Sequence, residues 1–316
     1  LNSANAVEIG DLKNDPEIDS ILWIGFPGCY GMLGVSDILC GRTSPSGALP
    51  DIYATYNMSA PAMQNMGNFQ YENGADMLTR GAGQTGGTTG NYLIEAEGIY
   101  VGYRYYETRY YDSVFGNGNA GSPVGAYASS TEWDYDKEVA YGFGYGLSYT
   151  DFTQEFEGEP EFNVSTDPET GVCDATAVFH VKVTNTGDMA GKSIVQIYGQ
   201  APYTEGGVEK SAVQLLNFGK TDTLKPGESQ VVSVEVDLQY IASYDNTYDN
   251  GDGTVGTYIL DPGTYYFAMG NGAHDALNHM MARQGADPES LSGESNSAMA
   301  YEHKITEDFI SSTAFS

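Results

Sequence analysis

Ala177-Val-Phe-His-Val-Lys-Val-Thr-Asn-Thr-Gly187 decides the fold class of this chain. Ala177, Phe179, Val181 and Val183 share one face, and His180 lies on the outward one; a strict period of two marks a strand with one side in a core. Val232, Val234, Val236 and Leu238 form a second such stripe, and Val195 and Ile197 oppose Ile194, Gln196 and Tyr198 in a third. Thr186-Gly-Asp188 and Lys225-Pro-Gly-Glu228 supply turns between short strands. This pattern predicts an antiparallel β-sandwich. Thr257 to Ala268, with Pro262-Gly263 at its centre, is expected to be its last hairpin. Beyond Gly270 the alternation fades into an acidic, Ser-rich stretch that reads as a tail or linker.

Upstream of Phe152 the periods are mixed. Ile21 to Phe26 is an apolar run of strand length, and Met32, Leu33, Val35, Ile38 and Leu39 recur at helical spacings. A strand over Ile21–Phe26, a glycine turn and a helix from about Gly31 to Cys40 make one α/β unit, with Gly41 past the helix end. Gly25, Gly28, Gly31 and Gly34 fall every third residue and no Lys follows, which fits neither phosphate-binding glycine pattern. Asn57 to Asn91 lacks periodicity, and Arg80–Gly90 is expected to be an excursion facing a docking domain or a substrate. The predicted organisation is residues 1–152 as an α/β region, 153–275 as the sandwich, and 276–316 as the acidic tail.

Forty-three acidic residues against thirteen basic ones leave 316 residues with a formal charge of −30, which disfavours nucleic acid and anionic membrane surfaces as partners. No apolar run reaches the roughly 18 residues of a membrane-spanning helix. Cys29, Cys40 and Cys173 are too few for a disulfide framework and read as buried free thiols. Forty glycines and twenty-five tyrosines suit irregular loops and stacking rings, as in sugar-handling proteins and in many extracellular β proteins. Secretion and a cytoplasmic location both stay open, as does a homo-oligomer.

Asp245-Asn-Thr-Tyr-Asp-Asn-Gly-Asp-Gly253 has acidic residues at calcium-loop spacings, but Asn250 stands where the sharp-turn glycine belongs and no Glu takes the twelfth position; a hairpin loop is the better reading. His180, His274, His279 and His303 lack metal-ligand spacing, so no metal and no cofactor are assigned. No Gly-x-Ser-x-Gly elbow supports acyl transfer. Glu95, Glu97 and Glu138 are carboxylates of the first region, and Glu97 is expected to pair with Arg104 or Arg109.

Pro27-Gly-x-x-Gly31, Asp37-Ile-Leu-Cys-Gly41 and Pro45-Ser-Gly-Ala-Leu-Pro50, with Glu97-Gly-Ile-Tyr-Val-Gly-Tyr-Arg104 and Gly142-Phe-Gly-Tyr-Gly-Leu-Ser-Tyr-Thr150, resemble signatures of family 3 glycoside hydrolases, the β-glucosidase family. Val183–Gly187, Gly191–Tyr198, Gln214–Phe218 and Leu224–Glu228 are similar to that family's fibronectin-III-like domain, and Gly142 departs from the Pro usual there. The resemblance implies the end of an α/β sandwich domain followed by a fibronectin-III-like domain. Retaining enzymes of the family use an Asp nucleophile on a TIM-barrel domain and a Glu acid/base, held about 5 to 5.5 Å apart. Neither motif occurs here, so no residue is assigned a catalytic role. The final stretch, Gly256–Phe267 and Gly272–Asn278, resembles the subgroup with reversed domain order. The chain is then expected to be a middle piece whose partners are a TIM barrel, the upstream part of the α/β sandwich domain, and a β-glucoside or oligosaccharide substrate. A stand-alone carbohydrate-binding module and a cell-surface spacer are the rival readings.

Overall fold

The computed structural model describes residues 1–64, 69–72, 91–92, 94–95, 97–116, 133–166, 169, 172–251, 253–306 and 309–311. The helices are α1 (Gly10–Asn14), α2 (Gly28–Leu39), α3 (Pro61–Gln64), α4 (Tyr103–Phe115), α5 (Tyr135–Glu138) and α6 (Ala273–Arg283). Four short strands belong to the first region: β1 (Tyr53–Ala54), β2 (Phe69–Gln70), β3 (Asn91–Tyr92) and β4 (Val139–Tyr141). They pair as β1 with β4 and β2 with β3.

Eleven strands follow: β5 (Phe152–Phe156), β6 (Glu161–Thr166), β7 (Val172–Asn185), β8 (Ile194–Gln200), β9 (Gln214–Lys220), β10 (Ser229–Asp237), β11 (Ser243–Asp249), β12 (Val255–Leu260), β13 (Gly263–Met269), β14 (Ala300–Ile305) and β15 (Phe309–Ser311). They form a seven-stranded sheet, β10-β7-β15-β12-β11 with β5 and β6 also on β7, and a four-stranded sheet, β14-β13-β8-β9. The two stripes expected from sequence lie opposite one another: Val232 pairs with Val181, Val234 with Phe179 and Val236 with Ala177. All six are buried in one core with Val195, Ile197 and Phe267 from the facing sheet. Two sheets that each bury one face against the other give the expected sandwich.

Strand β8 breaks the alternation, since Val195 through Gln200 are all buried. One face of it meets the sandwich core. The other is covered by α6 and the first region, in a second core that holds Tyr198, Tyr105, Tyr106, Leu277 and Met280.

Several expectations need correction. Residues 21–26 form no strand; they lie along the N-terminus, with Ile24 N–H bonded to Leu1 O at 2.9 Å, and Gly25 turns the chain at φ 54°. The helix begins at Gly28, a turn early, and none of its residues is buried. Gly41 does take the left-handed conformation after its end, at φ 67°. Cys29 and Cys40 are exposed rather than buried, because nothing among the described residues buries this helix. β12 and β13 are not a hairpin: β12 pairs with β11 and β15, β13 with β8 and β14, so Asp261-Pro262 crosses between sheets. Residues 276–305 are not a linker, because α6 buries seven residues, five of them apolar members of the second core, and β14 pairs with β13 from Ala268↔Ala300 to Gly263↔Ile305. Asp245–Gly251 and Gly253 lie on the β11–β12 hairpin, while Asp252 and Arg80–Gly90 lie outside the described residues.

Candidate functional site

The seam between α4 and the sandwich gathers most of the buried polar chemistry. It begins with the glycines of Gly142-Phe-Gly-Tyr-Gly146. Gly144 has φ 80°, and a Cβ there would strike the Tyr198 hydroxyl, Gln196 Oε1 and the Gly272 Cα. A Cβ on Gly146 would strike the Gly47 carbonyl. These positions admit only glycine because two backbone segments and a buried strand meet there. Gln196 Nε2 donates to Gly144 O at 3.0 Å, and Ala273 N–H donates to Phe143 O at 2.9 Å, so the same stretch anchors the start of α6.

Tyr103 and Thr108 tie α4 to the sandwich: Leu215 N–H donates to Tyr103 Oη at 3.0 Å and Ala212 N–H to Thr108 Oγ1 at 2.9 Å. Glu107, on the same helix, is fully buried. It accepts from Tyr135 Oη at 2.5 Å and from His274 Nδ1 at 2.9 Å. His274 Nε2 donates to Ser292 O at 2.7 Å, and the Tyr135 ring stacks on the imidazole with centroids 3.8 Å apart. A carboxylate and a carbonyl are both acceptors, so both imidazole nitrogens carry protons and His274 is an imidazolium. Burial opposes that charge, but Glu107 and the Ser292 carbonyl outweigh it and raise the pKa above the ordinary value. Tyr110 closes the ring: its hydroxyl donates to Asn278 Oδ1 and accepts from Ser292 N–H, and burial pushes its pKa up to about 12.

His279, one turn on, has the opposite state. Its Nδ1 accepts from Asn296 N–H at 3.0 Å, which requires an unprotonated nitrogen, and burial lowers its pKa despite Asp275.

On the outer side of the seam an open cleft of 1120 Å³ lies between the start of α4 and the segment from Gln239 to Thr247. Arg104 lines one wall and Tyr240 and Tyr244 the other. Lys210, almost fully buried, is ion-paired with Asp261 at its edge.

The sequence-derived carboxylates do not come together here. Glu95 is exposed, Glu138 is buried against the β1 side with Thr55 N–H bonded to its carbonyl, and neither they nor Glu97 line the cleft. The expected ion pair of Glu97 is absent among the described residues: one Glu97 oxygen is buried without a partner, while Arg109 lies over the Trp133 ring at 5.1 Å and donates to Tyr105 Oη. Sequence reading missed Glu107 and His274, which sit 167 positions apart. The Tyr-rich run after Gly102 was the available signal, since its periodicity buries Tyr105, Tyr106, Glu107 and Tyr110 together.

The fibronectin type III-like domain family matches residues 193–273. Over 280 residues the chain is 32% identical to β-glucosidase A of Butyrivibrio fibrisolvens, covering 87% of this chain and 28% of that protein. It is 30% identical over 276 residues to a β-glucosidase of Ruminococcus albus, covering 87% of this chain and 22% of that one. Among solved structures, β-glucosidase 3B of Thermotoga neapolitana superposes with a TM-score of 0.60 at 26% identity, over 98% of this chain and 31% of that one. This chain is therefore related to β-glucosidases along most of its length, combines an α/β portion with a fibronectin-III-like sandwich, and spans about a quarter of the length of the curated relatives it matches.

Proposed function

We propose that this chain works as the non-catalytic part of a retaining, exo-acting β-glycosidase of family 3, acting on β-glucosides or their oligosaccharides. In this reading residues 1–152 end an α/β sandwich domain, and the sandwich after them braces it. The catalytic acid/base and nucleophile belong to segments of the enzyme that this chain does not supply.

Helix α2 is the observation that carries this. Tyr30, Leu33 and Leu39 are 86%, 68% and 70% exposed, and no residue of the helix is buried. A run of large apolar side chains left in water on one helix is a surface made for burial against another part of a fold. The resemblance of Pro27–Pro50 to the α/β sandwich domain of β-glucosidases supports that part's identity. Cleavage of a glycoside by retention needs two carboxyl groups about 5 to 5.5 Å apart across the sugar. Glu107, the one carboxylate of the seam held in a dense hydrogen-bond net, is fully buried and saturated by Tyr135 and His274, so it serves structure.

A chimera tests the reading. Replacing the matching segment of the Butyrivibrio enzyme by this chain should preserve hydrolysis of an aryl β-glucoside, while the 316-residue chain alone shows none. Turnover by the isolated chain that disappears in Glu97→Gln, with folding intact, would make Glu97 catalytic and end the proposal.

A further inference from the structure

We infer that the cleft between α4 and the Gln239–Thr247 segment is a binding site for a neutral oligosaccharide. Its volume, 1120 Å³, exceeds what a single sugar ring fills and lies just above the range of about 300 to 1,000 Å³ typical of small-ligand sites. Tyr240 and Tyr244 are 52% and 51% exposed and both line it. Tyr244 is held in place: its ring packs edge-on against Tyr258 with centroids 5.1 Å apart, and its hydroxyl lies where a side chain on Gly256 would otherwise stand. A tyrosine ring fixed in this way presents a flat apolar face with a polar tip. Pyranose rings match such a face, having C–H bonds on their flat sides and hydroxyls around the edge.

The opposite wall supplies donors. Arg104 projects from the first turn of α4, and among the described residues its guanidinium has no acceptor. Its five N–H groups can donate to vicinal hydroxyls. On the tyrosine side, Asn246 likewise has no side-chain hydrogen bond among the described residues and offers both a donor and an acceptor. The walls are rigid because α4 is bonded to the sandwich through Tyr103 and Thr108, and Lys210 is locked to Asp261 at the edge. A site whose rings and donors are already placed loses little entropy on binding.

Charge selects the occupant. Glu209, Asp245 and Asp261 share the cleft with Arg104 and Lys210, and Asp245 is kept ionised by the Thr247 hydroxyl and N–H groups, which lower its pKa. Three carboxylates against two cations, with Lys210 already paired to Asp261, leave the lining with the same sign as the chain's formal charge of −30, and both disfavour phosphate and uronate chains. Peptides that bind as amphipathic helices need an apolar groove, and the lining here is mixed polar and aromatic. The specific choice of β-linked glucose rests on the proposed β-glucosidase role; the stacking and donor geometry stands without it.

Isothermal titration of the 316-residue chain with cellopentaose, and separately with a uronic-acid pentasaccharide, tests this. The neutral sugar should bind with a dissociation constant in the millimolar range or below, and the acidic one more weakly. Tyr240→Ala with Tyr244→Ala should weaken binding roughly tenfold or more, and Arg104→Ala severalfold, with melting temperatures unchanged. Both tyrosines are half-exposed, so a loss of fold is not expected; Tyr244→Phe, which keeps the ring, should bind nearly as well as the unaltered chain. Absence of binding by the unaltered chain, equal binding by the double variant, or preference for the acidic sugar would each overturn the inference. None of these outcomes touches the chimera test, which reads hydrolysis.

Discussion

Helices α2 and α6 have nearly the same length, twelve and eleven residues, and opposite fates. α2 is the more apolar, with Tyr30, Met32, Leu33, Ile38 and Leu39, yet buries nothing. α6 carries two histidines, an asparagine, an aspartate and an arginine, yet buries seven residues including Asn278 and His279. Composition therefore does not decide which helix lies inside. What decides it is whether the partner surface is present: β8 and α4 offer α6 both apolar cover and matched hydrogen bonds, and α2 meets no such surface among the described residues. A buried polar group is tolerated when its bonds are complete.

The largest break of this contrast should come from Glu107→Ala. It leaves a buried imidazolium without its carboxylate, and loss of one partner of a buried pair costs about 3 to 5 kcal/mol; chemical denaturation would measure it. The pH dependence sharpens the same point. His274 has a raised folded pKa, so its stabilisation is complete below about pH 6.5 and is lost as pH rises through the folded value. His279 has a lowered one, so its contribution is present above about pH 6.5 and is lost as pH falls through the folded value. Melting temperature against pH should peak near about pH 6.5 and fall on both sides, and His274→Gln should flatten the alkaline limb alone.

Next in size, Leu277→Ala should cost about 2 to 5 kcal/mol because Leu277 is fully buried in α6, and the midpoint of urea unfolding would show it. Gly144→Ala should cost about 2 kcal/mol or more, since its φ of 80° and three close neighbours reject a Cβ, and thermal unfolding would report it. The smallest effect belongs to α2. Leu33→Ser with Leu39→Ser should change the stability of this chain by less than about 0.5 kcal/mol per site, and should lower the yield of active enzyme when placed in the chimera. A large destabilisation of the isolated chain by these substitutions would show that α2 has a partner within it.

The sandwich was legible because its stripes bury one face and leave the other wet, which is what period two records. Ala177–Val183 and Val232–Leu238 were found as faces, and they pair with each other in register. The Thr257–Ala268 error has a plain cause: Pro262-Gly263 signals a reversal of the chain, and a reversal within one sheet looks the same in sequence as a crossing between two. α6 and β14 were read as tail because acidic and serine residues around them, Asp287–Ser297, dilute the pattern, while the apolar positions that matter face two different elements. The periodicity of the Tyr-rich run could flag Glu107 as buried, but the Glu107–His274 pair was not legible. Each residue alone is unremarkable in sequence, and only the packing of α4 on α6 makes them neighbours.

The second core has a thermodynamic consequence. It takes Ile52, Tyr105 and Val139 from before residue 152 and Tyr198, Leu277 and Ala300 from after it. Neither side can open without exposing apolar rings and an ion pair contributed by the other, so the pattern change near residue 152 is not a line of weakness. Heat should melt the described parts of both regions in one cooperative transition, and amide protons of α4 and α6 should exchange through the same opening.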